Sequence, residues 1–381
     1  MKKHLIAAAV AAAVAAPAMA QVTVYGLIDG GYATSTIDHG NNVQTKQKAM
    51  GGLHSANGTG TLSGSRLGFR GTEDLGGGLK AGFVYELGIN YSNGQAATTA
   101  PSNTDQTLAN GAGFGNVRQG FLELSGGFGA VRVGTHNSLA KDTTESIDPN
   151  AGVTLTGAAS LYQLGLLATR PDSITYMSPV FNGFSAQAQL DVGETTYSGT
   201  VPNDNKGQSF SARYAAGPLL VVASTEARKD NNFAATTTNL VSLSSGSVVS
   251  PVQAAATTID KITHDAIGAS YNFGPATAHV MTTKLKYKDA TATDTGNIKS
   301  TLVGVTVPLG VVSIRASISQ GEINDNGVET YDVDGFQVVA RYDLSKRTHA
   351  YFAAGQTKYD SPAANSDVKI KQMGIGLRHS F

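Results

Sequence analysis

The sequence predicts an all-β protein, a transmembrane antiparallel β-barrel of about sixteen strands with short periplasmic turns and long extracellular loops. The first observation is a series of runs, each about ten residues long, in which apolar and polar side chains alternate. The second is that the connections alternate strictly between short turns marked by Gly or Pro and long polar stretches. The third is an export signal at the amino terminus. An even number of strands with these connections places both termini on the side of the short turns.

The amino-terminal segment differs from the rest of the chain. Residues 2–4 are basic, residues 5–16 are apolar, and residues 18–20 read Ala-Met-Ala, which fits a cleavage motif. The apolar run is too short to cross a membrane as a helix, and a buried amino-terminal helix is the less favoured alternative. We therefore expect a signal peptide at 1–20 and a single β-barrel domain at 21–381.

The composition excludes several classes of protein. Charged residues make up 15% of the chain, 45 residues are Gly, and Cys and Trp are absent. The ordinary apolar content and the formal net charge of zero argue against a disordered chain and against a nucleic-acid-binding surface. An exported chain without Cys has no disulfide framework. Outside the export signal, the apolar stretches are all too short for a membrane-spanning helix, so a membrane role requires strands.

The clearest strand pair lies within residues 65–91. Its two alternating runs are joined by a glycine-rich turn at 74–78, which is short enough for a hairpin. Alternation begins earlier, at Val22, and returns in a strand at 117–125 that is followed by a short turn and another strand. The first half of the chain therefore predicts three strand pairs or parts of pairs, separated by long polar stretches.

The second half of the chain repeats this rhythm. Its short turns lie at 178–183, 216–218, 274–275, 309–310 and 344–348, and its last strand ends at Phe381. Over the whole chain, long connections are expected near 36–61, 92–114, 136–169, 194–207, 229–261, 289–296, 322–332 and 360–367.

Alternation alone does not decide which face of the sheet meets water. In a soluble β-sandwich the apolar face is the core, whereas in a membrane barrel it faces lipid and the polar face lines the lumen. The export signal, the rhythm of the connections and the aromatic residues near strand ends favour the membrane barrel. The aromatic residues expected in the girdles are Tyr25, Tyr85, Tyr91, Phe184, Tyr214, Tyr271, Phe273, Tyr342 and Phe381.

Seven short motifs, in order along the chain, resemble those of Gram-negative general porins of the β-proteobacterial and neisserial type. They are Val24 to Gly26, Ser65 to Gly76, Arg118 to Phe121, Arg170 to Tyr176, Ser178 to Phe184, Leu344 to Thr348 and Gly376 to Phe381. The resemblance covers essentially the whole chain after the export signal. It implies a barrel in the cell outer membrane, a homotrimer, and a third long loop folded into the pore. It also implies that Phe381 belongs to a terminal signal read by the barrel-insertion machinery.

Charged residues at the narrowing of the pore would set the function that this resemblance implies. Strand alternation places Arg66 and Arg70 on the lumen face, Arg118 is expected there on a neighbouring strand, and the resemblance alone adds Arg170 as a further wall arginine. Barrels of this strand number leave an aqueous channel. Arginines stay charged, so acids on the third loop would create a transverse field across the opening. The candidate loop acids are Asp142, Glu145 and Asp148.

Each of these assignments has a less specific alternative. Arg66 and Arg70 would then only hydrate the lumen away from the narrowing, and the loop acids would cap a short helix or pair with Lys141. Leu27 departs from the pattern of related porins, which often carry a basic side chain at that point. This departure weakens the expectation of a strong anion preference.

We expect an outer-membrane general diffusion porin that passes small hydrophilic solutes and ions with a weak anion preference, without enzymatic activity, cofactor or metal site. One alternative is a solute- or anion-specific channel, although the absence of Trp argues against a sugar pathway. Another is a secreted soluble β-sandwich or adhesin. The expected partners are further copies of the chain in a homotrimer, outer-membrane lipid and lipopolysaccharide, the barrel-insertion machinery and the solutes themselves, with no nucleic acid.

Overall fold

The computed structural model describes residues 22–38, 44–51, 62–89, 114–150, 169–193, 195–198, 201–204, 206–233, 259–289, 294–325, 328–362 and 367–381. In these ranges the chain forms nineteen β-strands and one α-helix. The predicted signal peptide at 1–20 lies outside the described residues.

The strands precede and follow a single short helix. The elements, in chain order, are β1 (Thr23–Asp38), β2 (Gln44–Gly51), β3 (Arg66–Gly76), β4 (Leu79–Ile89), β5 (Phe114–Gly126), β6 (Gly129–Asn137), α1 (Leu139–Ile147), β7 (Thr169–Met177), β8 (Phe184–Asp191), β9 (Thr195–Ser198), β10 (Val201–Asp204), β11 (Lys206–Ala216), β12 (Leu219–Phe233), β13 (Ile259–Asn272), β14 (Thr277–Asp289), β15 (Asp294–Leu309), β16 (Val312–Asp325), β17 (Val328–Asp343), β18 (Thr348–Asp360) and β19 (Val368–Ser380).

The strands close into one antiparallel barrel. From β3 to β8 and from β11 to β19 each strand pairs with the next, β8 pairs with β11, and β19 pairs with β1. Two strands pair with the other side of β1. β2 pairs with the loop end of β1, and β3 pairs with residues 23–27 of β1. The seventeen strands of this sheet therefore fill sixteen positions, because β2 and β3 share one. This confirms the predicted barrel, and β9 and β10 form a separate hairpin.

The short turns lie at one end of the barrel and the long connections at the other, as predicted. Glycines allow the tight reversals, since Gly77 and Gly217 adopt positive φ values of 60° and 54°. Most of the barrel strands are longer than the predicted ten residues, and β1, β15 and β17 each span 16, whereas β6, β7 and β8 span only 9, 9 and 8. The connection predicted at 322–332 is mostly strand, because β16 runs to Asp325 and β17 begins at Val328. Strand ends that project beyond the apolar band are polar, so the sequence pattern there resembles that of a loop.

The barrel wall carries a band of apolar residues on its outer face, and its inner face combines polar residues with buried apolar clusters. Large apolar side chains are exposed on the outer face, as expected for contact with lipid. Examples are Leu122, Ile174, Phe210, Val303 and Phe352. Tyr25 was predicted in an aromatic girdle, and this was wrong, because its hydroxyl donates to Glu86 Oε2 inside the lumen at 3.1 Å. Tyr25 lies near a strand end, but alternation along β1 directs its side chain into the lumen, beside Arg66 and Glu86.

Helix α1 lies inside the barrel against one part of the wall. Ile147 is fully buried and packs with Val222, Met281 and Leu302 from β12, β14 and β15. Glycines permit this approach. A Cβ at Gly268 would lie 2.8 Å from Ile147 Cγ1, which is closer than carbon atoms tolerate. The helix therefore narrows the lumen from one side.

Hydrogen bonds fix both ends of the α1 segment. At its start, the Leu139 N–H donates to Gln189 Oε1 at 3.3 Å, and the Gln189 amide lies 3.1 Å from His136 Nδ1. After its end, Asn150 Nδ2 donates to Ser317 Oγ on β16 at 3.2 Å. These contacts tie the segment to β6, β8 and β16, so the helix position is determined by the barrel wall.

The carboxy terminus completes the sheet at the turn end. The Gly26 N–H donates to Phe381 O at 3.0 Å, and the Phe381 N–H donates to Gly26 O at 3.1 Å. The first and last strands thus remain paired through the final residue. Within the described residues, α1 is too short and too polar to serve as a membrane-spanning helix.

We predict that Gly268→Val weakens the docking of α1. The added methyl groups displace Ile147, and loss of such a core contact costs about 2 kcal/mol, which corresponds to roughly 30-fold faster amide exchange. Hydrogen–deuterium exchange of residues 143–147 measures this. Gly127→Val is the control, since a Cβ at Gly127 meets no atom within 4 Å. Equal exchange rates in both variants would contradict the proposed packing.

Candidate functional site

Helix α1 presents two acids towards the open part of the lumen. The helix begins after Ser138, whose Oγ accepts the Lys141 N–H at 3.1 Å. Asp142 Oδ1 accepts a hydrogen bond from Asn137 Nδ2 at 2.9 Å, and Glu145 Oε1 lies 3.9 Å from Lys141 Nζ. Each acid uses one carboxyl oxygen for its local partner. The other oxygen remains available to the lumen.

The surrounding wall changes the acidity of these two carboxyl groups. The pKa of Glu145 is raised, because the protein around it displaces water and so disfavours the charged form. The pKa of Asp142 is raised for the same reason, although Asn137 and Lys141 act in the opposite direction. Both acids therefore lose their charge at a higher pH than free carboxyl groups do.

Asp148 has a different environment from the other two loop acids. It follows the helix directly, its N–H donates to Thr144 O at 3.0 Å, and its Oδ1 accepts the Asn150 N–H at 3.0 Å. Its residue surface is only 4% exposed. The geometry gives Asp148 a part in ending α1 and shaping the following turn.

The lumen wall across the opening from α1 is basic. Arg118 Nε donates to Glu86 Oε1 at 2.8 Å, and Arg66 Nη1 lies 3.8 Å from the same oxygen. Glu86 is 4% exposed and also accepts the Tyr25 hydroxyl. Arg66 and Arg118 both interact electrostatically with Glu145 of α1. The two predicted arginines and one predicted acid therefore come together at one level of the pore.

A β-bulge aims Arg118 at the lumen. Glu86 pairs with Gln119 and Leu87 pairs with Val117, so Arg118 is the extra residue between them. A bulge changes the direction of a side chain relative to strict alternation. Counting alternate positions along β5 would not by itself have placed Arg118 beside Glu86.

Three further arginines continue the basic wall, and the sequence reasoning did not include them in the site. They are Arg315 on β16, Arg341 on β17 and Arg378 on β19. Arg315 interacts electrostatically with both of the others. Arg378 stands opposite Asp29 of β1 in the sheet register. The signal that would have found them is that alternation along each strand places all three on the lumen face, within four residues of a strand end.

Acids separate the arginines of this wall. Asp29 is fully buried, and its Oδ1 accepts the Tyr351 hydroxyl at 2.7 Å while its Oδ2 accepts the Ser63 N–H at 2.9 Å. Arg341 Nε donates to Asp343. Opposite charges between neighbouring arginines reduce the repulsion that five guanidinium groups on one wall would otherwise have.

The two remaining predicted arginines have different positions. Arg70 is exposed in the middle of β3, and its guanidinium lies 5.1 Å from the centre of the Tyr25 ring, whose hydroxyl donates to Glu86. Arg170 of β7 pairs through its backbone with His136 of β6, and the Arg170 side chain lies outside the described part of the structure. Arg132, another basic residue of the lumen face, forms a 2.7 Å ion pair with Glu123 and acts electrostatically on Asp142 of α1.

The closed barrel, the inward helix and the charged opening define a water-filled membrane channel. A family described as Gram-negative porin matches residues 7–362. The chain belongs to this family, as its motifs predicted, and it is an outer-membrane porin.

Individual relatives agree with this assignment. The chain is 31% identical over 396 residues to the major outer membrane protein P.IB of Neisseria meningitidis serogroup B, and the alignment covers 100% of both. The structure of the anion-selective porin from Comamonas acidovorans aligns with a TM-score of 0.71 and 23% identity over 95% of this chain and 100% of the other. The trimer form of OmpT of Vibrio cholerae aligns with a TM-score of 0.62 and 14% identity over 95% and 99%. These two structures share the barrel fold.

We predict that Glu86→Gln increases anion preference. Removing one negative charge about 8 Å from a passing ion changes its energy by about 0.5 kcal/mol in water, or roughly twofold in the permeability ratio. The reversal potential under a KCl gradient measures this ratio. Glu123→Gln, which removes a paired acid nearer the turn end, is the control. An unchanged reversal potential in Glu86→Gln would place Glu86 outside the narrowing.

We also predict that anion preference rises as the pH falls. Glu145 becomes neutral as the pH drops through its raised pKa, so the loop side loses negative charge while the arginines stay charged. The midpoint of the change should lie above the ordinary pKa of a glutamate. Reversal potentials across a pH series test this, and Glu145→Gln should reduce the response. A response that is identical in the variant would assign the titration to another group.

Proposed function

We propose that this porin is a general diffusion channel for small hydrophilic solutes and ions, with a weak preference for anions. The observation that carries the proposal is the asymmetric opening, with arginines on one wall and the acids of α1 on the other. Charges of opposite sign across a narrow opening orient dipolar solutes and disfavour apolar ones. Passage through such an opening requires no energy coupling, because no step other than diffusion takes place.

The weakness of the preference follows from the local charge balance. The basic wall contains five arginines and three acids. The arginines are Arg66, Arg118, Arg315, Arg341 and Arg378, and the acids among them are Glu86, Asp29 and Asp343. On the loop side, Asp142 and Glu145 offset part of the positive charge that remains on the basic wall. The net field therefore favours anions without excluding cations. The solved porin from Comamonas acidovorans, described as anion-selective, supports this sign.

The second candidate is an anion-specific channel. The five arginines on one wall favour it, because neighbouring guanidinium groups can pass an anion from one to the next. The lysines of β14 and β15 do not add to such a pathway, since they lie on the outer face. A single-channel conductance that saturates with salt concentration would support the specific channel, and a linear dependence would support general diffusion.

The assembly and maturation of the chain are further parts of the proposal. A homotrimer is supported by the trimer form of the structurally similar OmpT. Cleavage after residue 20 would leave the barrel domain at 21–381 for export. Phe381, which is 45% exposed at the turn end, is available as the terminal residue for the insertion machinery. Lipid and lipopolysaccharide are the expected surroundings of the outer face.

We predict that Arg118→Glu converts the weak anion preference into a cation preference. The change of two charge units about 8 Å from the ion path corresponds to about 1 kcal/mol, or roughly fivefold in the permeability ratio. Planar bilayers containing the refolded protein give both the conductance steps and the reversal potential.

Lys80→Glu is the control, because Lys80 is exposed directly after the glycine turn that precedes β4 and the change in charge is the same, so its reversal potential should move much less. Cation preference in the wild type would contradict the proposed sign. The absence of discrete conductance steps in the wild type would contradict the channel itself.

A further inference from the structure

The barrel wall has a gap in its hydrogen bonding part way along β1. β2 pairs with β1 as far as Gly31, and β3 pairs with β1 as far as Leu27, so neither of these described strands pairs with residues 28–30. The Ser65 hydroxyl lies at this gap, where it accepts the Asp29 N–H at 3.0 Å and donates to Asp29 O at 3.4 Å. A serine side chain therefore replaces sheet hydrogen bonds at the point where the chain enters β3.

The four residues before β3 lie inside the lumen. These residues, 62–65, are named the inner segment. Leu62 packs against Ala33 of β1, Val339 of β17 and Ala353 of β18. All three partners face inward and are nevertheless buried, whereas a lumen face in contact with water would be exposed. The inner segment therefore covers part of the wall on the side opposite α1.

Asp29 ties the inner segment to the far side of the closure between β1 and β19. Its Oδ2 accepts the Ser63 N–H at 2.9 Å, and its Oδ1 accepts the Tyr351 hydroxyl of β18 at 2.7 Å. Tyr351 reaches across β19 because glycines leave room for it. A Cβ at Gly31 would lie 2.9 Å from Tyr351 Oη, and a Cβ at Gly376 would overlap the same atom. Both carboxyl oxygens of Asp29 thus hold neutral donors in fixed positions.

The inner segment in turn contacts two arginines of the basic wall. Arg66 Nε donates to Gly64 O at 3.2 Å, and Arg66 Nη2 donates to Ser63 Oγ. A Cβ at Gly64 would lie 3.3 Å from Arg118 Nη1. Both arginines interact electrostatically with Glu145 across the opening. The inner segment therefore lies at the level of the narrowing.

We propose that the inner segment is a second constriction element of the pore, and that Asp29 is a positioning residue for Arg66. The positioning role rests on the proposed anion preference, because Arg66 contributes to it. A long arginine side chain has many rotamers, and two hydrogen bonds to the inner segment select one of them. Without its anchors the segment leaves the wall, so Arg66 loses its fixed place at the opening.

Position and charge give Asp29 opposite effects on the ion preference. By charge alone, Asp29 reduces the anion preference, because it is an acid opposite Arg378 in the sheet register. By position, it increases the anion preference, because it keeps Arg66 at the opening. A variant that keeps every charge and releases the inner segment therefore changes the preference only through position.

The first test removes two anchors without changing any charge. S65A/Y351F abolishes the serine contact with β1 and the tyrosine contact with Asp29. Moving the Arg66 guanidinium from about 4 to about 8 Å from a passing ion halves their interaction, which lowers the anion-to-cation permeability ratio about twofold. Reversal potentials of the refolded full-length barrel in planar bilayers under a KCl gradient measure this ratio.

S178A/Y342F is the matched control. Ser178 Oγ accepts the Ala186 N–H at 2.9 Å in a turn outside the opening, and Tyr342 is exposed on the outer face. Its permeability ratio should equal that of the wild type. If S65A/Y351F forms no channels, S63A takes its place, since it removes an acceptor of Arg66 and leaves the Asp29 contacts with Ser65 and Tyr351, and the ratio should again fall.

The second test locates the inner segment and does not depend on the sign of the ion preference. The chain contains no cysteine, so Gly64→Cys introduces a single thiol beside Arg118. Its thiolate attacks the sulfenyl sulfur of a sulfonate-bearing methanethiosulfonate, a disulfide forms and methanesulfinate leaves. The bulky product should lower the single-channel conductance in discrete steps. Gly127→Cys, where a Cβ meets no atom within 4 Å, is the control and should keep its conductance.

The two tests overturn separate parts of the proposal. An unchanged permeability ratio in S65A/Y351F, or in S63A where it replaces that variant, would refute the positioning role of Asp29. An unchanged conductance of Gly64→Cys after the reagent would refute the second constriction element. A wild-type preference for cations would contradict the proposed ion preference, whereas the Gly64→Cys result would still stand, so failure of one proposal is distinguishable from failure of the other.

Discussion

The packing of α1 against the inside of the barrel is the contact on which the functional arrangement depends. Ile147 inserts among Val222, Met281 and Leu302, and glycine at 268 allows the close approach. Because the helix occupies one side of the lumen, water and solutes pass between it and the facing wall. A barrel of sixteen strands would otherwise enclose a wide, weakly selective opening. The apolar side of a nine-residue helix therefore sets the width of the passage, and its polar side supplies the acids.

Basic residues are divided between the two faces of the barrel wall. Arg315, Arg341 and Arg378 face the lumen, where a delocalised and permanently charged group can remain near water and other guanidinium groups. Lys284 and Lys299 face outward, beyond the apolar band that includes Val280 and Val303. The formal net charge of zero conceals this division. The guanidinium groups are therefore concentrated where ions pass, and the ammonium groups of β14 and β15 lie outside the pore.

Alternation and connection rhythm were sufficient to predict the barrel, because one apolar face and one polar face are required on every strand. They also placed Arg66 correctly on the lumen side. They could not predict the contact between Arg118 and Glu86, because a bulge breaks the alternation there. Arg315 and the other distant arginines join the same wall only when the barrel closes. Tyr25 was assigned to the wrong environment for a related reason, since its lumen partner Glu86 is 61 residues away.

The central claim is that anions and cations follow opposite sides of the opening. Crystals of the porin grown or soaked in rubidium bromide would locate both ions by anomalous scattering at their separate absorption edges. The account predicts bromide sites along Arg315, Arg341 and Arg378, and rubidium sites near Asp142 and Glu145. Bromide and rubidium sharing one path along the pore axis, or bromide beside α1, would contradict it.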